Sequence, residues 1–174
     1  MTAPERCAGT PPGAVEAAEL RRTMGRFATG VAVVTTGTAD EPHGMTVNSL
    51  TSVSLDPPLL LVCLTTGART TEAVVTHGMF TVNVLATRQH AIARRFASRG
   101  ADHFAGLPVE FGRHRVPVVP AAMTHLECDV EAVHPGGDHV IVLGRVRSLC
   151  AREGDPLLFF GGGFGAFDHH REVS

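Results

Sequence analysis

Between Gly44 and Pro58 the chain reads Gly-Met-Thr-Val-Asn-Ser-Leu-Thr-Ser-Val-Ser-Leu-Asp-Pro-Pro, and this run restricts the fold more than any other. Thr46, Asn48, Ser49, Thr51, Ser52 and Ser54 place six uncharged polar side chains in nine residues, threaded with Met45, Val47, Leu50, Val53 and Leu55. A surface loop has no need of so many apolar residues. A strand buried on both faces does not tolerate so many hydroxyls. Two accounts stay open: a Ser/Thr-rich edge strand, or strands bordering a cleft for a flat, polar-edged ring with a sugar-like tail.

The periodicities around that run predict a single domain. Residues 1–13 read as a disordered leader, 14–168 as the folded unit and 169–174 as a tail. Ala17, Leu20, Met24 and Phe27 recur at spacings of three and four, which predicts a helix from Ala14 to Ala28 closed by Gly30. Strands are expected at Val31–Thr36, in two pieces between Met45 and Leu55, and at Leu59–Thr65, where Pro57-Pro58 imposes an extended entry. A short helix over Arg69–His77, a strand over Met79–Leu85 and a longer helix over Arg88–Ser98, with Ile92 and Phe96 inward, come next. Leu126, Cys128, Val130 and Ala132 alternate with Glu127, Asp129 and Glu131, the pattern of a half-buried strand. Beyond the Pro135-Gly136-Gly137 turn, His139–Cys150 reads as a long strand and Leu157–Phe160 as a short final one. The strands show no regular βαβ alternation, so a mostly antiparallel barrel with peripheral helices is predicted over a doubly wound sheet.

Several function classes fall away. A formal charge of −2 with scattered arginines leaves no footprint for nucleic acid or an anionic membrane surface. No apolar run approaches spanning length, and the first residues lack the basic-then-apolar order of a signal peptide. Cys7, Cys63, Cys128 and Cys150 show no paired spacing; the last three sit in apolar strand-like stretches where buried free thiols are common, so a reduced, cytoplasmic setting is expected. Gly161, Gly162, Gly163 and Gly165 have no βαβ unit after them and fail the context of a dinucleotide fingerprint. Ten histidines occur without HExxH or His-x-His spacing, and a catalytic metal is not expected. With Tyr and Trp absent, aromatic stacking falls to the nine Phe or to His.

Three further motifs accompany the polar run. Thr65-Thr66-Gly67-Ala68-Arg69-Thr70-Thr71 leaves a strand and opens a helix, which suits a phosphate monoester, or an ordinary N-cap by Thr66 or Thr70. Gly137-Asp138-His139 delivers a histidine to the mouth of a long strand, for function or for structure. Leu157–Phe164 is either a closing strand with a flexible end or an aromatic, glycine-lined rim over a ring.

In this order these segments resemble the flavin reductase component of two-component flavin-dependent monooxygenases, in the FMN-binding split-barrel superfamily. The resemblance runs from about Leu20 to Phe164. Its markers are Met24–Thr36, the run ending Ser54-Leu55-Asp56-Pro57-Pro58, Phe80-Thr81-Val82-Asn83-Val84-Leu85, Phe96-Ala97-Ser98, Asp102-His103-Phe104-Ala105-Gly106 and Gly137-Asp138-His139. It implies a homodimeric split β-barrel that reduces FMN, or FAD, with NADH or NADPH and supplies reduced flavin to a partner monooxygenase. Thr46, Val47, Asn48 and Ser49 would then edge the isoalloxazine, and Ser52, Val53, Ser54, Cys63 and Leu64 would flank the ring and ribityl chain. Ala68, Arg69 and Thr70 would hold the phosphate with help from Arg95, while His139, Phe160 and Gly161 would line the nicotinamide side. Hydride transfer needs alignment rather than a protein nucleophile, so no indispensable acid or base is expected. The same barrel also serves non-catalytic flavin- or haem-binding proteins and oxidases that retain their flavin. Two departures stand out: His103 where a lysine is frequent, and Phe160-Gly161-Gly162-Gly163 where an aromatic, a basic residue and a glycine are expected.

Overall fold

The computed structural model describes residues 15–98, 100 and 102–168; the expected leader, the tail and Cys7 lie outside the described residues. In chain order the elements are α1 (Ala17–Met24), β1 (Thr29–Gly30), β2 (Ala32–Gly37), β3 (Pro42–Val47), β4 (Thr51–Leu55), β5 (Pro58–Thr65), α2 (Arg69–His77) and β6 (Met79–Val84). After a 3-10 turn at Thr87–Gln89 follow α3 (His90–Ala97), β7 (Glu110–Phe111), β8 (Pro117–Val118), β9 (Thr124–Gly136), β10 (His139–Ala151), β11 (Leu157–Phe160) and β12 (Gly163–Ala166).

Seven strands form one sheet in the order β3-β2-β6-β9-β10-β5-β4, every neighbour antiparallel. The sheet curls until β3 and β5 touch. Ser49, just past β3, fastens that closure: its hydroxyl donates to the Cys63 carbonyl at 3.1 Å and accepts from the Cys63 N–H at 2.9 Å. This is the antiparallel barrel expected from the strand pattern. A smaller sheet, β1-β11-β12, and the β7–β8 ribbon lie outside it.

The core has two compartments, one on each face of β2. Ala32 and Val34 join Leu60, Val62, Leu64, Phe80 and Val142 inside the barrel. Val31 and Val33 point the other way, onto Leu85, Ala93, Phe96, Phe104 and Leu157 beneath α3. That alternation explains why β2 is apolar on both faces while most other strands alternate. Asn83 joins the layers: its amide donates to the Val33 carbonyl and the Thr35 hydroxyl, and its Oδ1 accepts from Val119 N–H. Gly144 is required by close packing, because a Cβ there would stand 2.5 Å from Cζ of buried Phe80.

Four expectations change. The first helix stops at Met24 with Gly25 as its C-cap, and Gly30 sits in β1, not at a helix end. Backbone pairing of Thr29 and Gly30 with Phe159 and Leu158 overrides the helical spacing there. The final strand is not the last: Gly161 and Gly162, with φ of 59° and 85°, make a two-residue hairpin turn into β12. Cys150 is exposed, whereas Cys128 is buried and its thiol is pushed up to about 12, first by burial and then by Asp129 and Glu127. Glu127 breaks the half-buried pattern of β9, being 4% exposed. Its carboxylate accepts from the N–H groups of Arg113 and His114 and from the Ser148 hydroxyl. Among the described residues no helix is long and apolar enough to cross a membrane.

Candidate functional site

A cavity of about 850 Å³ opens where the β2–β3 hairpin, the β5–α2 junction and the segment after α3 meet. Each wall follows from local sequence. Gly67, at φ +73°, turns the chain out of β5, and nothing lies within 4 Å of where its Cβ would be, so backbone is bare toward the opening. Helix α2 then starts at Arg69 behind an extended Ala68 that supplies no side-chain cap. Neither threonine acts as the N-cap. Thr70 instead donates to the Gly44 carbonyl at 3.0 Å and Thr71 to the Thr65 carbonyl at 2.8 Å. The start of α2, with Ala68, Arg69 and Thr70, therefore borders the cavity without a side-chain cap.

Gly44 is the hinge point of the opposite wall. A Cβ there would sit 2.4 Å from Cε1 of Phe96, so only glycine lets β3 lie against α3. Thr46 fastens the same contact by donating to the Ala93 carbonyl at 2.8 Å. The third wall is held by Arg95, whose Nε donates to the His103 carbonyl at 2.7 Å and whose terminal nitrogen bonds the Ala105 carbonyl.

The residues expected at the site divide into groups. Thr46, Ala68, Arg69 and Thr70 line the cavity. Val47 and Leu64 send their side chains into the barrel core, leaving only their backbone available. Asn48 and Ser52 are exposed, Val53 is exposed at a β-bulge and Ser54 is half-buried, all along the open edge near β4. Ser49 and Cys63 are coupled to each other and form the strip between that edge and the cavity. Two residues of strand, about 7 Å, separate Cys63 from Thr65. Arg95 lies outside the lining, its guanidinium engaged by loop carbonyls.

His139 pairs in register with Thr65, and Asp138 accepts through its backbone carbonyl from Thr66 N–H at 3.0 Å. The fold thus brings the Gly137-Asp138-His139 turn against the Thr65–Arg69 loop, two motifs about seventy residues apart. His139 Nδ1 lies 2.7 Å from the Asp138 carboxylate, and that bond, then the field of the ring and of Arg21, holds Asp138 below the usual aspartate range. Phe160 and Gly161 belong to the β11–β12 hairpin, tied to Gly25 through Gly161 N–H, and do not line the cavity. Residues not singled out for the site include Gly44, Phe96, Ser98 and His103. Three of these stood in the family markers Phe96-Ala97-Ser98 and Asp102-His103-Phe104, which was the available signal.

Barrel and cavity together define a small split-barrel protein with a cleft where the start of α2 meets the β2–β3 hairpin. The chain belongs to the flavin reductase like domain family, whose model matches residues 24–168, and is an oxidoreductase of that family. The reductase subunit HsaB of a flavin-dependent monooxygenase from Rhodococcus jostii is 38% identical over 161 residues, covering 92% of this chain and 83% of that one. The FMN reductase (NADH) SmoA of Agrobacterium fabrum is 41% identical over 156 residues, covering 90% and 89%. The NADH:FAD oxidoreductase SgcE6 of Streptomyces globisporus, solved in complex with NAD and FAD fragments, superposes with a TM-score of 0.84 at 39% identity, covering 89% and 94%.

Proposed function

We propose that this chain reduces FMN with NADH and releases the reduced flavin to a partner monooxygenase. The observation that carries the reading is the uncapped start of α2, with Arg69, opening into a cavity within the size range of cofactor sites. The bare backbone at Gly67 and the hydroxyl-lined approach fit a phosphate ester with a polar tail. Bound there, flavin supplies the hydride-accepting ring.

The chain's own residues orient and shelter. Ala68, Arg69 and Thr70 hold the phosphate, while Arg95 braces the wall rather than touching it. The backbone of Val47 and Leu64, the Asn48 amide and the Ser49–Cys63 strip border the ring. Ser52, Val53 and Ser54 flank it along β4. His139, next to the Thr65–Arg69 loop, faces the nicotinamide, with Phe160 and Gly161 as its outer rim. N–H donors aimed at the pyrimidine edge favour the reduced, anionic ring. A single arginine among hydroxyls and amides gives affinity in about the micromolar range, weak enough for departure within a turnover. The NADH named for both SmoA and SgcE6 supports that donor over NADPH, and FAD remains the alternative flavin. A homodimer is part of the reading, because Val53 and Leu55 on β4 and the apolar face of α1 stand uncovered in one chain.

Aerobic NADH consumption with added FMN tests this. Turnover that rises with FMN and saturates is expected. Bound yellow colour without turnover would instead make the chain a flavin carrier, and turnover independent of added FMN an oxidase that keeps its flavin.

A further inference from the structure

His103 has no spare ring nitrogen. Its Nδ1 lies 2.9 Å from the Gly44 carbonyl and its Nε2 lies 2.9 Å from the Ser98 carbonyl. Both partners only accept, and a neutral imidazole carries a single N–H. Only the imidazolium can satisfy both bonds. The ring is set in place by Phe96, whose centroid is 5.4 Å away, and its own carbonyl is fixed by Arg95. The Gly44 carbonyl that it holds also receives the Thr70 hydroxyl from the first turn of α2. One carbonyl thus ties together the three walls of the cavity, and His103 supplies the bond from the third.

We propose that His103, as an imidazolium, is the positioning residue that holds the wall after α3 against β3 and thereby makes capture of a phosphate-bearing flavin pH-dependent. The proposal rests on the flavin site described above. The sequence contains no lysine, so cationic charge at this cavity comes from arginine and histidine alone. The groups sharing the space are Arg69 at α2, Asp102 preceding His103 in the chain, and Asp40, Glu41 and His43 on the β2–β3 hairpin, with Arg95 behind the wall and bonded to its carbonyls. Loss of the proton removes one of two bonds on the wall and one positive charge from a cavity already edged by carboxylates. Both changes weaken hold on an anion.

The test is the dissociation constant of FMN, by fluorescence quenching, across about pH 5 to 8, the interval in which histidines titrate. Wild type, His103→Lys and His103→Gln are compared, with melting temperature as the folding control. The phosphate's own second ionisation and any contribution of His43 are common to all three and cancel in the ratios. The expected ratio of wild-type to His103→Lys dissociation constants rises roughly threefold to tenfold from the acid to the alkaline end, the effect of one charge across a partly solvated cavity. His103→Gln is weaker than wild type at the acid end and converges on it at the alkaline end. Riboflavin, which lacks the phosphate, shows a smaller rise. Parallel curves for wild type and His103→Lys, or equal binding by His103→Gln and wild type at acid pH, would overturn the role of His103 alone. Failure of FMN to quench any of the three at any pH would defeat the flavin site itself.

Discussion

Glu127 shows how one residue can be misjudged from its spacing and yet carry a measurable property. Burial raises its carboxyl and is the largest influence, but the Ser148 hydroxyl, the N–H groups of His114 and Arg113 and the nearby His114 outweigh it, so the group is held below the ordinary glutamate range. A depressed carboxylate contributes stability above its unfolded pKa, about 4.3, and loses it as pH falls through the lower folded value. Glu127→Gln replaces an acceptor with a donor facing backbone N–H groups and is expected to cost about 1–3 kcal/mol at neutral pH. Urea unfolding from pH 7 down to pH 3 checks the sign: the gap between wild type and variant should close on the acid side. A gap that stays constant would mean that the carboxylate's charge contributes nothing. Nothing in the alternation of residues 126–132 marked Glu127 for burial. Its backbone donors come from Arg113 and His114, beside Gly112, where a Cβ would meet the carboxylate at 2.4 Å, and its hydroxyl donor from Ser148 on β10.

At the scale of elements, legibility followed how local the cause was. Helix α2 runs Arg69–His77 as its spacing predicts, because its Gly78 terminator is in the left-handed conformation next to it in sequence. The strands of the barrel were legible from alternation and from Pro57-Pro58. Helix α1 was misread at its end because β11, far away in sequence, claims Thr29 and Gly30. Strand β12 was missed because four glycines in five residues look like a tail until two of them close a hairpin. The apolar residues of α1 and of the turn just after it make one face, but one chain leaves it bare: Leu20 is 54% exposed and Met24 57% in the helix, and Phe27 beyond its end 69%. That face is expected to be covered by a second copy. Light scattering on a Leu20→Ser, Phe27→Ser double variant should show the dimer shifted toward monomer with the fold retained. A monomeric wild type would remove this role for the helix.

For the molecule as a whole, the barrel's closure decides the site. The polar run of residues 44–58 does double duty: Ser49 and Thr46 lock strands and helix together, while Asn48 and the residues of β4 stay open to an occupant. Neither role could be separated in sequence, since both use the same side chains, and only β5 and α3 beside the run show which hydroxyls are engaged. Arg95 illustrates the same limit: its charge suited a phosphate, but carbonyls of the adjacent loop claim it. What remains free at the cavity is the start of α2, and the reading of the chain rests there. The decisive measurement is the KM for FMN and for riboflavin in NADH-driven turnover, in wild type and in Arg69→Ala. Wild type should favour FMN by about tenfold or more, the size of a charge-assisted hydrogen bond. Arg69→Ala should lose most of that preference through KM, with kcat changed less. Riboflavin performing as well as FMN in wild type, or Arg69→Ala lowering kcat with KM unchanged, would contradict a phosphate seated at α2.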